Sequence, residues 1–274
     1  MRYRATIKLL GILLMMFSLS MLTPVFVSLY YKDGASLAFL VAFFVTFLTG
    51  FMIWYPLSKQ NYELKTRDGF LVVTLFWFVL TLFGAIPLVI NQYATLSFTN
   101  AVFESVSGLT TTGATMLSNL SLLPKSILYY RQQLHLLGGM GIVVLAVAIL
   151  PMLGVGGMQL YRAETVGPFK TSKLKPRMTE TAKALWYIYV GLVILCALAY
   201  WACGMTLFDA IGESYSTIST GGFSTHDSSF AFYHSPLICC VSIVFMLLSG
   251  TNFALHYHFF RVRSLSAYTG DTEW

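Results

Sequence analysis

The sequence predicts an all-α polytopic membrane protein with six transmembrane helices and two re-entrant half-helices, on three observations. Only 10% of the 274 residues are charged while 57% are hydrophobic, whereas a soluble domain carries roughly 25% charged residues to face water. Six charge-free stretches are long enough for the ~20 apolar residues that cross roughly 30 Å of hydrocarbon. The basic residues, finally, gather on one side of the layer those stretches define. The same composition demotes nucleic-acid binding, disorder and a secreted disulfide scaffold.

Stretches free of Asp, Glu, Lys and Arg run over 9–31, 34–58, 69–103, 105–124, 132–161, 184–208 and 228–260. The first is longer than a signal-peptide core and no small-x-small cleavage site follows it, so it reads as a retained helix. With the second it forms a two-helix preface, 1–60. The third divides between 87 and 100 into a crossing that ends near Ile90 and a short amphipathic piece from about Leu96. Residues 105–124 cannot cross, because SVSGLTTTGATMLSNLSLLP puts hydroxyl, amide and glycine side chains where a spanning helix needs an apolar body. Crossings over 132–161 and 184–208 follow, then a second short piece, LFDAIGESYSTIST from Leu207, and a last crossing within 228–260.

Orientation follows from the bias of Lys and Arg toward cytoplasmic loops. With the N-terminus inside and six alternating helices, fourteen of the seventeen basic residues fall on the cytoplasmic side. Only Lys32, Lys125 and Arg131 stay outside, so the +6 net charge is a topology signal. Cys196, Cys203, Cys239 and Cys240 all fall within expected spans without C-x-x-C spacing, and read as buried small apolar residues.

The chain repeats itself at an offset of 109 residues. AVFESVSGLTTTGAT, 101–115, lies over AIGESYSTISTGGFS, 210–224, with Glu104/Glu213, Ser107/Ser216, Thr111/Thr220 and Gly113/Gly222 among the identities. Each copy has the same order: a crossing, a half-helix, a Gly/Thr/Ser loop, a crossing. The first unit is placed at 61–165 and the second at 166–274. Non-helical backbone is tolerated at membrane depth only where it is buried in protein or lines a watery cavity, so these loops line something. Glycine supplies φ > 0, a ring of carbonyls can replace the hydration shell of a monovalent cation, and a half-helix entering from outside points the negative end of its dipole inward.

TTTGAT, STGGFSTHD, the run GGMGIVVLAVAILPMLGVGGMQLYRAE over 138–164, KLKPRMTETAKALWYIYV over 173–190 and SGTNFALHYHFFRVRSL over 249–265 together resemble the membrane-subunit family of the bacterial Trk potassium uptake system, within the Trk/Ktr/HKT superfamily. The resemblance covers nearly the whole chain. It implies M1–pore helix–M2 units, four of which surround one pore, and K⁺ uptake across the bacterial inner membrane through a filter of backbone carbonyls. By the same resemblance the filter backbone falls at Thr110, Thr111, Thr112 and Gly113 and at Ser219, Thr220, Gly221 and Gly222, and glycine at 113 argues against a Na⁺-permeable relative. It further implies a cytoplasmic nucleotide-binding regulatory subunit, TrkA, and no cofactor.

The chain departs from the pattern in holding two units, the third and fourth being absent. Two expectations follow: either the chain is a truncated or split product, acting as a non-transporting half or assembly partner of a split transporter, or two chains pair to supply four loops. Glu104 and Glu213, nine residues before the matching glycines, are intramembrane carboxylates and hence functional candidates. They either hold the loop by accepting backbone N–H groups or concentrate cations. Asp209 and Asn100 read as helix N-caps. The basic stretch 161–183 fits either a docking surface for TrkA or solvated positive-inside charge. The glycines at 138–157 do not satisfy a nucleotide loop, and His256 and His258 read as an interfacial pair. No nucleophile with a positioned base appears, so an enzyme is not expected.

Overall fold

The computed structural model describes residues 3–59, 66–93, 96–141 and 178–251, with 253, 255, 256 and 259. The chain opens with α1 (Tyr3–Ser20), α2 (Leu22–Tyr31) and α3 (Ser36–Trp54). α4 (Thr66–Gly84) and α5 (Ile86–Ile90) make the next crossing; α6 (Phe98–Leu109) is a half-helix and α7 (Lys125–Gly139) returns from it. α8 (Met178–Ala202), α9 (Leu207–Ile218) and α10 (Pro236–Gly250) repeat the order. Every regular element among the described residues is helical, as the composition predicted.

Among the described residues four stretches are long and apolar enough to cross a membrane: Tyr3–Tyr31, Ser36–Leu57, Leu71–Ile90 and Lys183–Ala202, with Pro236–Gly250 a shorter apolar helix. The expected fourth crossing beyond 141, the basic stretch up to 177 and most of the expected last crossing beyond 251 lie outside the described residues. The outward faces are apolar. Phe26, Leu37, Met52, Phe78 and Leu247 are 69, 69, 74, 67 and 65% exposed, an arrangement that suits lipid and not water.

Inside, the apolar core has two parts. Leu14, Phe17, Met21, Phe39, Leu88, Leu109 and Tyr130 bind the first three helices to α4–α7. Tyr189, Val193, Cys196, Tyr200, Ala210, Ile218 and Ile238 bind α8, α9 and α10. α1 and α3 approach closely enough that a Cβ on Gly11 would stand 2.8 Å from the Gly50 carbonyl, and one on Gly50 2.8 Å from that of Gly11. Glycine on both sides permits this backbone contact.

α7 leads into the expected fourth crossing, most of which lies outside the described residues, and carries Arg131, Gln132, Gln133 and His135, all at most 5% exposed. It is a polar strut between the two halves of the core. Pro24 lacks the N–H that would bond the Ser20 carbonyl, and that carbonyl instead accepts from Gln133 Nε2 at 2.8 Å, with the Thr23 hydroxyl also 2.8 Å away. Where α4 breaks before Pro87, the Gly84 carbonyl accepts from the buried Tyr130 hydroxyl at 2.8 Å. The loop before α3 caps the strut: Asp33 Oδ2 accepts from the Ser126 N–H at 2.9 Å, while Oδ1 accepts from the Ala35 N–H at 3.1 Å and the Ser28 hydroxyl at 2.5 Å.

The cysteine expectation holds only for Cys196. Cys239 and Cys240 are exposed on α10 and Cys203 is half-buried, since a helix in lipid has no reason to turn small apolar residues inward. His256 is buried and its Nε2 lies 2.8 Å from the Leu248 carbonyl; His258 lies outside the described residues.

Partial burial works to raise the pKa of Asp33, but the hydrogen bonds from Ser28, Ser126 and Ala35 outweigh it and leave the carboxyl below its ordinary value. A lowered folded-state pKa contributes stability that is fully present above the unfolded-state pKa and is lost as pH falls through the folded one. Asp33→Asn is therefore expected to melt below the unsubstituted protein at about pH 7, with the gap closing toward about pH 3. A gap that stayed constant across that range in thermal melts of the detergent-purified protein would contradict the latch.

Candidate functional site

Both half-helices begin with a side-chain cap. The Ser97 hydroxyl accepts from the Asn100 N–H at 3.3 Å, and the Thr206 hydroxyl from the Asp209 N–H at 3.2 Å. The caps are thus three residues upstream of Asn100 and Asp209, correcting the sequence reading. Asp209 instead takes the Thr206 and Thr225 hydroxyls, on Oδ2 at 2.7 Å and Oδ1 at 2.8 Å. The signal was present in the repeat, because a hydroxyl three residues before a short polar side chain is a helix-start pattern.

Both half-helices also end alike. In the first, Thr112 N–H bonds the Ser107 carbonyl at 2.9 Å and Thr111 N–H the Gly108 carbonyl at 3.2 Å; in the second, Gly221 N–H bonds Ser216 at 2.8 Å and Thr220 N–H bonds Thr217 at 3.1 Å. This pair of bonds is the Schellman ending, whose turning residue sits in the left-handed region and is usually glycine. Here it is Thr111 at φ 53° and Thr220 at φ 53°. A β-branched residue in that region costs roughly 1–2 kcal/mol. Two residues on, Gly113 at φ 76° and Gly222 at φ 95° take the positive-φ conformation that glycine adopts freely.

The chain then runs extended across the carboxylate of its own half-helix. Glu104, fully buried, accepts from the Thr115 hydroxyl on Oε1 at 2.9 Å and the Met116 N–H on Oε2 at 2.9 Å. Glu213, 1% exposed, accepts from the Ser224 hydroxyl at 2.6 Å and the Thr225 N–H at 3.0 Å, both on Oε1. The hydroxyls reach onward in the same manner, Thr115 Oγ1 accepting from Leu117 N–H at 3.1 Å and Ser224 Oγ from His226 N–H at 3.2 Å. Of the two roles the sequence left open for the carboxylates, the geometry displays the first: each is a buried acceptor for loop N–H and O–H groups.

The surroundings of the two carboxylates differ. Glu104 Oε1 also forms an ion pair with Arg131 Nε at 2.7 Å, whereas the residue 109 positions after Arg131 is Cys240. Sequence reasoning placed Arg131 outside the membrane, because charged residues were used to mark where spans end. The local pattern YYRQQ gave no signal that the residue would be buried in protein.

The loops meet in space. A Cβ on Gly113 would collide with the Gly221 carbonyl oxygen and stand 3.3 Å from the Gly222 Cα, and Leu120 N–H donates to Asp227 Oδ2 at 2.9 Å. Thr110, Thr112, Thr220 and Gly222 are exposed, Thr111 and Gly113 half-buried, Ser219 and Gly221 buried. Among the described residues no hydrogen bond is donated to the carbonyls of Thr110, Thr111, Thr112 and Gly113, or of Thr220, Gly221 and Gly222. At membrane depth such carbonyls require another partner. No group of three or more His, Cys, Asp or Glu side chains stands ready for a metal among the described residues.

Crossings of membrane length, with half-helices that turn back through glycine-bearing loops braced by buried carboxylates, define a polytopic membrane protein of the pore-loop class. Residues 35–270 match the TrkH family, cation transport proteins, and the chain belongs to that family. It is similar to the Trk system potassium uptake protein TrkH of Halomonas elongata, at 56% identity over 273 residues covering 100% of this chain and 57% of that protein. Against TrkH of Escherichia coli K12 the identity is 53% over 274 residues, again 100% of this chain and 57% of the relative. The crystal structure of the potassium transporter TrkH from Vibrio parahaemolyticus superposes with a TM-score of 0.86 at 49% identity, covering 100% of this chain and 55% of that one. The chain thus spans little more than half the length of these relatives.

The two loop glycines separate by substitution. A Cβ on Gly222 meets nothing within 4 Å, so Gly222→Ala is expected to cost only the conformational penalty, about 1–2 kcal/mol. Gly113→Ala has the same penalty and also forces the loops apart, so it is expected to melt at the lower temperature. Equal melting temperatures for the two purified variants would refute the Gly113–Gly221 contact.

Proposed function

We propose that the chain supplies two of the pore loops of a potassium uptake pathway in the bacterial inner membrane, with its N-terminus on the cytoplasmic side. In this reading a preface, 1–60, precedes one M1–pore helix–M2 unit at 61–165 and a second at 166–274. The filter backbone is Thr110, Thr111, Thr112 and Gly113 with Ser219, Thr220, Gly221 and Gly222, and Glu104 and Glu213 support it from behind. The observation that carries the reading is the set of carbonyls, unpaired among the described residues, on two matching and touching loops. A dehydrated monovalent cation is the partner such carbonyls suit, and the relatives of the chain are named potassium uptake proteins.

The names of those relatives favour a transporter over a non-transporting remnant. The open side of the two loops is where two further loops complete the ring. The cytoplasmic partner in this reading is the nucleotide-binding subunit TrkA, with the basic stretch 161–183 as its docking surface.

The test is ⁸⁶Rb⁺ uptake, with and without competing Na⁺, by cells that lack their own potassium uptake and express the natural full-length product carrying this sequence. Gly222→Ser is the informative variant, since its side chain has space. It is expected to reduce discrimination for Rb⁺ over Na⁺ by about tenfold at unchanged membrane abundance. Unchanged discrimination would sink the assignment of Gly222 to the filter, and no uptake by the unsubstituted protein would sink the transport reading itself.

A further inference from the structure

Arg131 belongs to neither loop, yet it touches both. It lies in the second turn of α7, 1% exposed. Toward the first unit, Nε donates to Glu104 Oε1 at 2.7 Å and Nη2 to Thr115 Oγ1 at 2.9 Å. Toward the second, Nη1 donates to the Ser224 carbonyl at 3.4 Å, and the guanidinium carbon stands 4.3 Å from the centre of the Phe223 ring. Apart from Glu104, the residues contacted follow the filter glycines in both units: Thr115 is two beyond Gly113, and Phe223 and Ser224 are one and two beyond Gly222.

One helical turn further on, His135 reinforces the same junction. Its ring stacks on Phe223 with centroids 4.1 Å apart and planes 13° apart, and its Nδ1 lies 2.7 Å from Ser216 Oγ. It packs against the backbone of Gly221 closely enough that a Cβ there would strike the ring. Arg131 and His135 together hold Phe223, and through it the start of the strand that follows the second loop.

The charge of Arg131 is directed first to its pair with Glu104. Glu104 neutralises Arg131 at contact distance, so the pair presents little net field to a passing cation. What remains is geometry. A planar guanidinium directs its N–H groups in fixed directions and stacks on a ring, which an ammonium cannot do. The second unit has cysteine at the corresponding place, Cys240. One such bridge suffices between two loops, because a bridge belongs to the pair and not to either unit.

We propose that Arg131 is a positioning residue that fixes the two loops relative to each other and so sets their discrimination among monovalent cations. This rests on the reading of the loops as a filter. Discrimination by a cage of carbonyls depends on their spacing and number, and a functional constellation must be held within about 0.5 Å of its working geometry. Arg131 does not touch the ion; it acts through Glu104, Thr115, Phe223 and Ser224.

Two variants of the natural full-length protein test this. Arg131→Lys keeps the charge beside Glu104 and removes the fork, while the double variant Glu104→Gln with Arg131→Gln removes the fork and leaves no unpaired buried charge. Spin labels at the exposed positions Ala114 and Ser228, with the native cysteines replaced by alanine, report the loop-to-loop distance distribution by pulsed electron paramagnetic resonance. Both variants are expected to broaden that distribution and to lower Rb⁺ discrimination over Na⁺ by about tenfold at equal membrane abundance. A distribution as narrow as that of the unsubstituted protein in Arg131→Lys would overturn the proposal and leave Arg131 as a counter-ion only. A broadened distribution with intact discrimination would overturn its link to selectivity. The distance measurement needs no flux, so a protein that carried no Rb⁺ would defeat the filter reading while the bridge was still decided. Arg131→Lys alone decides between bridge and counter-ion if the double variant fails to accumulate.

Discussion

Backbone that leaves the helical ladder inside a membrane finds no water to bond to, and each orphaned N–H or C=O must be met by another part of the protein. The fold is organised around that requirement. Pro24 frees the Ser20 carbonyl and Gln133 takes it; the break before Pro87 frees the Gly84 carbonyl and Tyr130 takes it. The strands after the half-helices expose amides at Met116 and Thr225, and Glu104 and Glu213 take those. Several of these acceptors and donors sit on α7, which explains why a helix between two apolar cores is lined with Arg, Gln and His.

The two carboxylates show two solutions to the burial of a charge. Burying an ion without compensation is prohibitive, and compensation comes from a counter-ion or from several donors. Glu104 has both, through Arg131, Thr115 and Met116, whereas Glu213 relies on the Ser224 and Thr225 hydroxyls and an amide. The two units therefore share a backbone path while differing in what stands behind it, and the difference coincides with the contact of Arg131 across to the second unit.

Much of this was legible in the sequence. The repeat of Glu104, Thr111 and Gly113 at Glu213, Thr220 and Gly222 marked two loops of one conformation, and the structure gives them matching backbone angles. The crossings followed from charge-free lengths. The rest failed for identifiable reasons. Spans were bounded by charges, and that convention does not foresee the burial of an arginine whose partner is 27 residues away in sequence. Hydropathy does not distinguish burial in protein from exposure to lipid, so Cys239 and Cys240 were expected inside. Threonine in the left-handed position was invisible because composition favours glycine there; only the tertiary demand for a turn at 111 and 220 overrides it.

The crossing of α1 and α3 at Gly11 and Gly50 has a consequence for biogenesis. These helices, with the loop between them, are complete in the chain well before α7 leaves the ribosome, and their interface uses only residues of the preface. The paired hairpin already presents the Asp33 carboxylate and the Ser20 carbonyl, the two acceptors that α7 reaches through Ser126 and Gln133. The acceptors that α7 uses are thus held by chain that precedes it, on helices already packed against each other.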